Sequence, residues 1–161
     1  MKTIRKIALF IALCVMAMVT VSAQESSKVE VKVKELVKRY ENVKGVGSIT
    51  VAKGSGLGMV KAMLNGQFDK DFMKGVTGII VINYSDASQE TCLALRKDIE
   101  AIGSMLEEFK MGEEKESTEQ ELYAKSYAAI EGEKSISDFL TAMENKEVKM
   151  VLYMAGKIKV E

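Results

Sequence analysis

The chain lacks histidine, the side chain that enzymes use most often as a general acid or base. Its 161 residues include 23 basic and 23 acidic residues, no His and only two Cys. Without His there can be no Ser-His-Asp triad, no Cys-His dyad and no HExxH zinc site, and two Cys are too few for a Cys-rich zinc site. The balanced charge also lacks the basic excess that is typical of nucleic-acid-binding domains. We therefore expect no cofactor, no metal ligand set and no nucleic-acid partner.

Other chemistries need only residues that the chain does contain. Residues 54–58 have the sequence Gly-Ser-Gly-Leu-Gly, in a place suited to a phosphate-binding loop, but without the GxGxxG or GK[ST] spacing. A Ser-Lys dyad is available in principle, yet no pair is favoured by its spacing. The acidic segment 107–121 lacks the spacing of a calcium loop. We predict a non-catalytic binding domain, with a small His-free enzyme or a carboxylate-based metal or ligand binder as the alternative.

The first 23 residues have the pattern of a secretory signal peptide. Three basic residues precede an uncharged run over residues 7–21, and Val21-Ser22-Ala23 matches the small-x-small pattern before a cleavage point. The run has 15 residues, fewer than the roughly 20 that span a membrane. We predict cleavage after Ala23, which would leave one domain over residues 24–161 with 20 basic and 23 acidic residues. This domain is expected to be exported and soluble, in the periplasm or associated with the cell envelope.

The mature chain would keep Cys92 as its single Cys, so an internal disulfide is excluded. Cys92 lies on a predicted amphipathic helix, near Leu95 and Ile99. Free Cys is among the most buried residue types. We therefore predict that Cys92 is a structural core residue and not a reactive thiol.

The apolar pattern of the mature chain predicts an α+β domain. Helical spacing predicts helices at 29–41, 57–65 and 88–103, and strand patterns predict strands near 46–52, 78–84, 122–130 and 147–154. Segment 78–84 is nearly all apolar, as is typical of a central strand covered on both faces. Segment 136–143 is ambiguous, because its apolar residues follow a helical period.

Three segments carry a resemblance to a known family: ELVKRYENVKGV at 35–46, IIVI at 79–82 and VLYMAGKI at 151–158. In this order they resemble an uncharacterised family of small exported proteins of Bacteroides-type bacteria, a domain of unknown function. The resemblance implies that 136–143 is a strand paired with 147–154 through a turn at 144–147, and it implies a link to envelope-stress sigma factors. Many members have a lipid-attachment Cys after the apolar run, whereas Cys14 of this chain follows Leu13 inside the run. The resemblance assigns no catalytic residue.

We expect a mostly antiparallel sheet with all helices packed on one face, so that the other face is open to water. Five residues are candidates for a binding surface on that open face: Tyr123, Tyr127, Met150, Leu152 and Met154. If the two late strands form an exposed hairpin, a narrower apolar strip of Met143, Met150, Leu152 and Met154 follows. Exposed apolar surface of this kind is typical of interaction sites. The expected partner is an unidentified envelope protein or lipid, and the sequence leaves the oligomeric state open.

Overall fold

A computed structural model describes residues 27–52, 55–64, 70–108 and 121–160 of the chain. The predicted signal peptide lies outside these residues, as do Gly54 and most of the acidic segment. Four helices and seven strands occur in the described part of the chain. They are α1 (Lys28–Tyr40), β1 (Gly47–Ala52), α2 (Ser55–Leu64), α3 (Lys70–Lys74), β2 (Val76–Asn83), α4 (Gln89–Gly103), β3 (Glu107–Glu108), β4 (Glu121–Ile130), β5 (Ser135–Asn145), β6 (Lys149–Gly156) and β7 (Ile158–Lys159).

The strands form one antiparallel sheet with the order β1-β2-β6-β5-β4-β3, and β7 pairs with β5. The α+β class with an antiparallel sheet is therefore confirmed. β2 lies between β1 and β6 and buries four consecutive residues, Ile79 to Ile82, which confirms that it is a central strand covered on both faces.

The ambiguous segment 136–143 is a strand, as the resemblance implies. Its helical spacing has a local cause at Asp138, which has a φ of 52° and lies where the register of β5 with β4 shifts. A bulge of this kind adds a residue and interrupts the alternation of side chains. As a result Ile136 and Phe139, three residues apart, join the same core cluster.

Helices α1 and α4 pack on what we call the front face of the sheet. Both helices bury an apolar stripe, and Val33, Leu95 and Ile99 are fully buried. Ser27 caps α1, because its Oγ accepts a hydrogen bond from the Glu30 backbone amide at 3.0 Å. Each buried aliphatic side chain of this size stabilises the fold by about 1.5–3 kcal/mol, so the stripes hold both helices on the sheet.

Helices α2 and α3 pack on the opposite, back face. Leu57, Phe72 and Met73 join a second core cluster with residues of β2, β5 and β6. The Phe72 and Phe139 rings meet edge to face, with centroids 5.8 Å apart. The expectation that all helices share one face is therefore wrong. The central strands are apolar on both faces, so the back face also needs cover to keep these side chains from water.

The turn between α1 and β1 requires a glycine at position 45. Gly45 has a φ of 82°, and a Cβ at this position would lie 2.2 Å from the carbonyl oxygen of Asp86. A side chain is excluded both by backbone conformation and by space. The Gly of the 35–46 segment therefore has a structural role in bringing two loops together.

Candidate functional site

A polar cluster lies on the front face, at the end of the sheet where β5 turns into β6. Glu144 on β5 has only 1% of its surface exposed. It pairs in register with Lys149 on β6 and with Tyr123 on β4. Tyr84 directly follows β2 in the same region, and Arg96 reaches the cluster from α4. We call these five residues the polar row.

Glu144 is the centre of the polar row. Arg96 donates from Nε to Glu144 Oε1 at 2.6 Å and from its terminal nitrogen to Oε2, which makes a bidentate ion pair. The Tyr84 hydroxyl donates to the same Oε1 at 3.0 Å. The Arg96 guanidinium also lies 4.9 Å from the centre of the Tyr123 ring, within cation–π range.

The ionisation of the polar row follows from these contacts. Burial alone would raise the pKa of Glu144, but the hydrogen bonds from Arg96 and Tyr84 and the nearby positive charges lower it below its ordinary value. The bond to Glu144 raises the pKa of Arg96. Burial and the Glu144 charge raise the pKa of Tyr84. Glu144 is therefore charged, Tyr84 is neutral, and neither group is set for proton transfer near neutral pH.

Cys92 lies beside the polar row. Its side chain is buried on α4, and the Lys149 ammonium donates to its Sγ at 3.3 Å. The expected burial of Cys92 on this helix is confirmed, and its structural role stays a prediction.

The polar atoms of the cluster are directed at one another. Throughout the described residues, every buried side-chain nitrogen or oxygen has a hydrogen-bond partner. The same part of the chain contains no group of three or more His, Cys, Asp or Glu residues placed to hold a metal ion. The arrangement joins α4 to β5 through the Arg96–Glu144 pair.

A second buried carboxylate ties α1 to the front face. Asp138 Oδ1 accepts a hydrogen bond from the Tyr153 hydroxyl and another, at 2.6 Å, from Ser27 Oγ. Ser27 is also the cap of α1. Asp138 therefore fixes the start of this helix on the sheet, and its left-handed backbone conformation is stabilised by two side-chain bonds.

The structure does not bring together the five residues of the predicted binding surface. Tyr123 and Tyr127 lie on the front face, where the Tyr127 ring packs on Gly103 of α4 so closely that a Cβ there would lie 2.6 Å from it. Met150, Leu152 and Met154 lie on the back face. Leu152 and Met154 are 5% and 0% exposed, so they belong to the core. The prediction of an open face is wrong. Residues of α4 pack with the two tyrosines on the front face, and residues of α3 share a core cluster with Met154 on the back face.

The strand register arranges the back face in three rows that run across the sheet. Row one contains Gly47, Asn83, Met150, Met143 and Ala124. Row two contains Ile49, Val81, Leu152, Thr141 and Ser126. Row three contains Val51, Ile79, Met154 and Phe139.

The side chains of row three are the most buried, and those of row one are the most exposed. Row three packs against residues of α2 and α3. In row two, Val81 and Leu152 are still buried. In row one, Met143 is 36% exposed, Ala124 is exposed and Met150 is half-buried. We call this first row the methionine row. The strip of Met143, Met150, Leu152 and Met154 does share one face, but only its Met143 end reaches solvent.

The polar row could not have been found from local patterns. Arg96 and Glu144 are 48 residues apart in sequence, and Glu144 stands next to a turn, where an acidic residue is usually solvated. The signal that was available is the strand parity, since Glu144 shares its parity with Leu140 and Ala142, which are buried on the front face.

Comparison of the chain with family models, with curated proteins and with solved structures gives no match. Within the described ranges, no helix has the length and apolar character needed to cross a membrane.

Proposed function

We propose that this protein is an exported, non-catalytic domain of the cell envelope that acts by binding a protein partner. The methionine row is the observation that supports this proposal most strongly. It is an accessible, mainly apolar surface at the edge of a back face whose other rows are buried at their centre, at Val81, Leu152, Ile79 and Met154. Export to the periplasm or envelope rests on the predicted signal peptide, and the link to envelope stress rests on the family resemblance alone.

The side chains of the methionine row suit a docking surface. An open face of an antiparallel sheet usually carries polar residues, but here Met143 and Met150 face each other across β5 and β6. Methionine is flexible and polarisable, so it adapts its shape to a partner. Ala124 adds a small exposed neighbour. Together these residues form a mainly apolar surface without long charged side chains, which a partner can cover at little desolvation cost.

The charges favour a protein partner over a lipid surface. Lipid-binding surfaces combine apolar residues with Lys and Arg, which attract anionic headgroups. The methionine row contains no basic residue, and the predicted mature chain has 20 basic and 23 acidic residues. A bilayer would therefore gain little electrostatic attraction from this surface.

Site-specific photo-crosslinking in intact cells tests the proposal. A photoreactive residue placed at Met143 should yield one discrete protein adduct. The matched control is the same residue at Met105, which is 47% exposed outside the back face and should give no adduct of that size. Adducts to lipid, equal adducts from both positions, or no adduct from Met143 would contradict the proposal. Loss of the Met143 adduct on a Met150→Lys background would place the partner on the methionine row.

A further inference from the structure

Strand β1 forms one edge of the sheet. In the part of the chain that the structure describes, β2 is its single neighbouring strand. All six residues of β1 pair with β2 in an unbroken register, from Gly47 opposite Asn83 to Ala52 opposite Gly78. Gly47, Thr50 and Ala52 are exposed along this strand. β1 is therefore a regular, accessible edge.

The register identifies which backbone groups of β1 are directed away from the sheet. The Tyr84 amide donates to the Lys149 carbonyl at 2.9 Å, so this amide points toward β6. In an antiparallel sheet successive residues point their N–H and C=O groups to opposite sides. Residues 79, 81 and 83 of β2 therefore point their backbone groups toward β1.

The partners of these residues in β1 are Val51, Ile49 and Gly47. Their N–H and C=O groups face β2, so those of Ser48, Thr50 and Ala52 face outward. No backbone hydrogen bond to another described segment is found for these three residues. They present three donors and three acceptors, in the spacing that a further strand requires.

β1 also lacks the features by which proteins usually prevent pairing at an edge. Such features are charged side chains, Pro, a bulge or a very short strand. The six residues of β1, Gly-Ser-Ile-Thr-Val-Ala, include no charge and no Pro, and the pairing with β2 has no register shift. The opposite edge differs, since β3 has only two residues and both are Glu.

We propose that β1 binds an extended segment of another protein, which joins the sheet as an added strand. Main-chain hydrogen bonds supply the affinity in this mode of recognition, and alternate side chains supply the specificity. Ile49 and Val51 lie on the back side of β1, whereas Ser48 and Thr50 lie on the front side. The segment that fits is therefore alternately apolar and polar, with its apolar residues beside Ile49 and Val51.

A second copy of this chain fits the edge less well. A six-residue strand offers a strip of about 20 Å by 5 Å, whereas a stable interface between two folded proteins buries about 800 Å² on each partner. An extended peptide needs no such area, because it contacts the edge with its whole backbone. This inference does not depend on the methionine row, and its failure would leave that proposal intact.

Peptide selection on the full exported protein tests the inference. A display library of short random peptides is panned on the immobilised protein, and the enriched peptide is synthesised for titration. The expected sequence alternates apolar and polar residues. Bound peptide should slow amide exchange at Ser48, Thr50 and Ala52, and leave exchange at Ile49 and Val51 unchanged.

Thr50→Pro is the decisive variant. It removes an outward N–H and leaves the bonds to β2 in place, which an edge strand tolerates. The affinity for the peptide should therefore fall by about tenfold or more. Thr50→Ala keeps the N–H and should change the affinity by less than about twofold. If Thr50→Pro does not fold, Ser48→Pro near the start of the strand takes its place.

Three results would overturn the inference. They are the absence of any enriched peptide, a peptide whose affinity is the same for Thr50→Pro and Thr50→Ala, and a dimer of this chain that Thr50→Pro dissociates in sedimentation. Loss of peptide binding in Thr50→Pro with normal crosslinking from Met143 would show two separate contacts.

Discussion

The two faces of the sheet differ most at the end where β5 turns into β6. On the front face Glu144 is buried under α4 and held by Arg96. On the back face Met143 is 36% exposed. These two residues are neighbours in sequence, as are Lys149 of the polar row and Met150 of the methionine row. A charged side chain is covered and an apolar one is accessible, which is the reverse of the usual distribution.

This comparison separates stability from binding. The polar row is a closed set of bonds that holds a helix, and the methionine row is an apolar surface without a described cover. We therefore expect substitutions on the front side to affect the free energy of unfolding. Substitutions in the methionine row should affect binding and leave the fold unchanged.

Replacement of Arg96 should have the largest effect on stability. Arg96→Met leaves the Glu144 carboxylate buried without its ion-pair partner, and breaking a buried pair in this way costs about 3–5 kcal/mol. Denaturant titration measures this loss. The double variant Arg96→Met with Glu144→Leu removes both charges and should recover most of it. A single variant that loses less than about 1 kcal/mol would show that the pair acts like an exposed salt bridge.

Substitutions in different rows of the back face should also differ strongly in the free energy of unfolding that they cost. Leu152→Ala creates a cavity in row two and should cost about 2–5 kcal/mol. Met143→Ala, in the same sheet face but in the methionine row, should stay within about 0.5 kcal/mol. Thermal or denaturant unfolding of the two variants gives the comparison. Equal losses would mean that Met143 belongs to the core and does not form a docking surface.

Asp138 tests the second buried carboxylate of the front face. Asp138→Ala removes the acceptor for Tyr153 and Ser27. It also places Ala, which has no polar side chain to bond the local backbone, in a left-handed conformation. We expect a loss of about 1–3 kcal/mol. Asp138→Asn keeps an acceptor and tolerates this conformation, so it should cost less. The idea fails if Ala and Asn have the same effect.

Lowering the pH should destabilise the fold through Glu144, and this should be the smallest effect among these predictions. The pKa of Glu144 is lower in the folded protein than in the unfolded chain. Its contribution is therefore present above the ordinary pKa of Glu and is lost as the pH falls through the lowered value. Glu144→Gln should show a weaker dependence of unfolding free energy on pH in this acidic range. An unchanged slope would mean that the fold does not lower the pKa of Glu144, which would contradict its stabilisation as a carboxylate.

The sequence predicts the longer elements well, because their patterns are local. α1, α4 and the strands β1, β2, β4 and β6 lie within a few residues of their predicted bounds. α3 has five residues, and β3 and β7 have two each. Such lengths are too short to show a period, so these elements were not predicted. The bulge at Asp138 gave β5 a helical spacing that the residues alone could not resolve.

The binding surface was harder to predict, because it depends on which face receives cover. Tyr123 and Met150 each fit a strand pattern, yet β4 places the tyrosine under α4 while β6 places Met150 on the back. Alternation within one strand does not state how two strands are aligned. The placement of α2 and α3 on the back face also depends on packing between distant segments. Of the residues proposed, Met143 is exposed, and Met150 and Tyr123 are half-buried on opposite faces of the sheet.

Methionine oxidation in intact cells tests the central claim most directly. The purified protein gives the intrinsic oxidation rates of three methionines that are exposed among the described residues: Met59, Met105 and Met143, at 58%, 47% and 36%. If a partner covers the methionine row, Met143 should be oxidised several times more slowly in cells than in the purified protein, while Met59 and Met105 keep their relative rates. If Met143 is oxidised in cells at the same rate relative to Met105 as in the purified protein, the row is open and the proposed binding function is wrong.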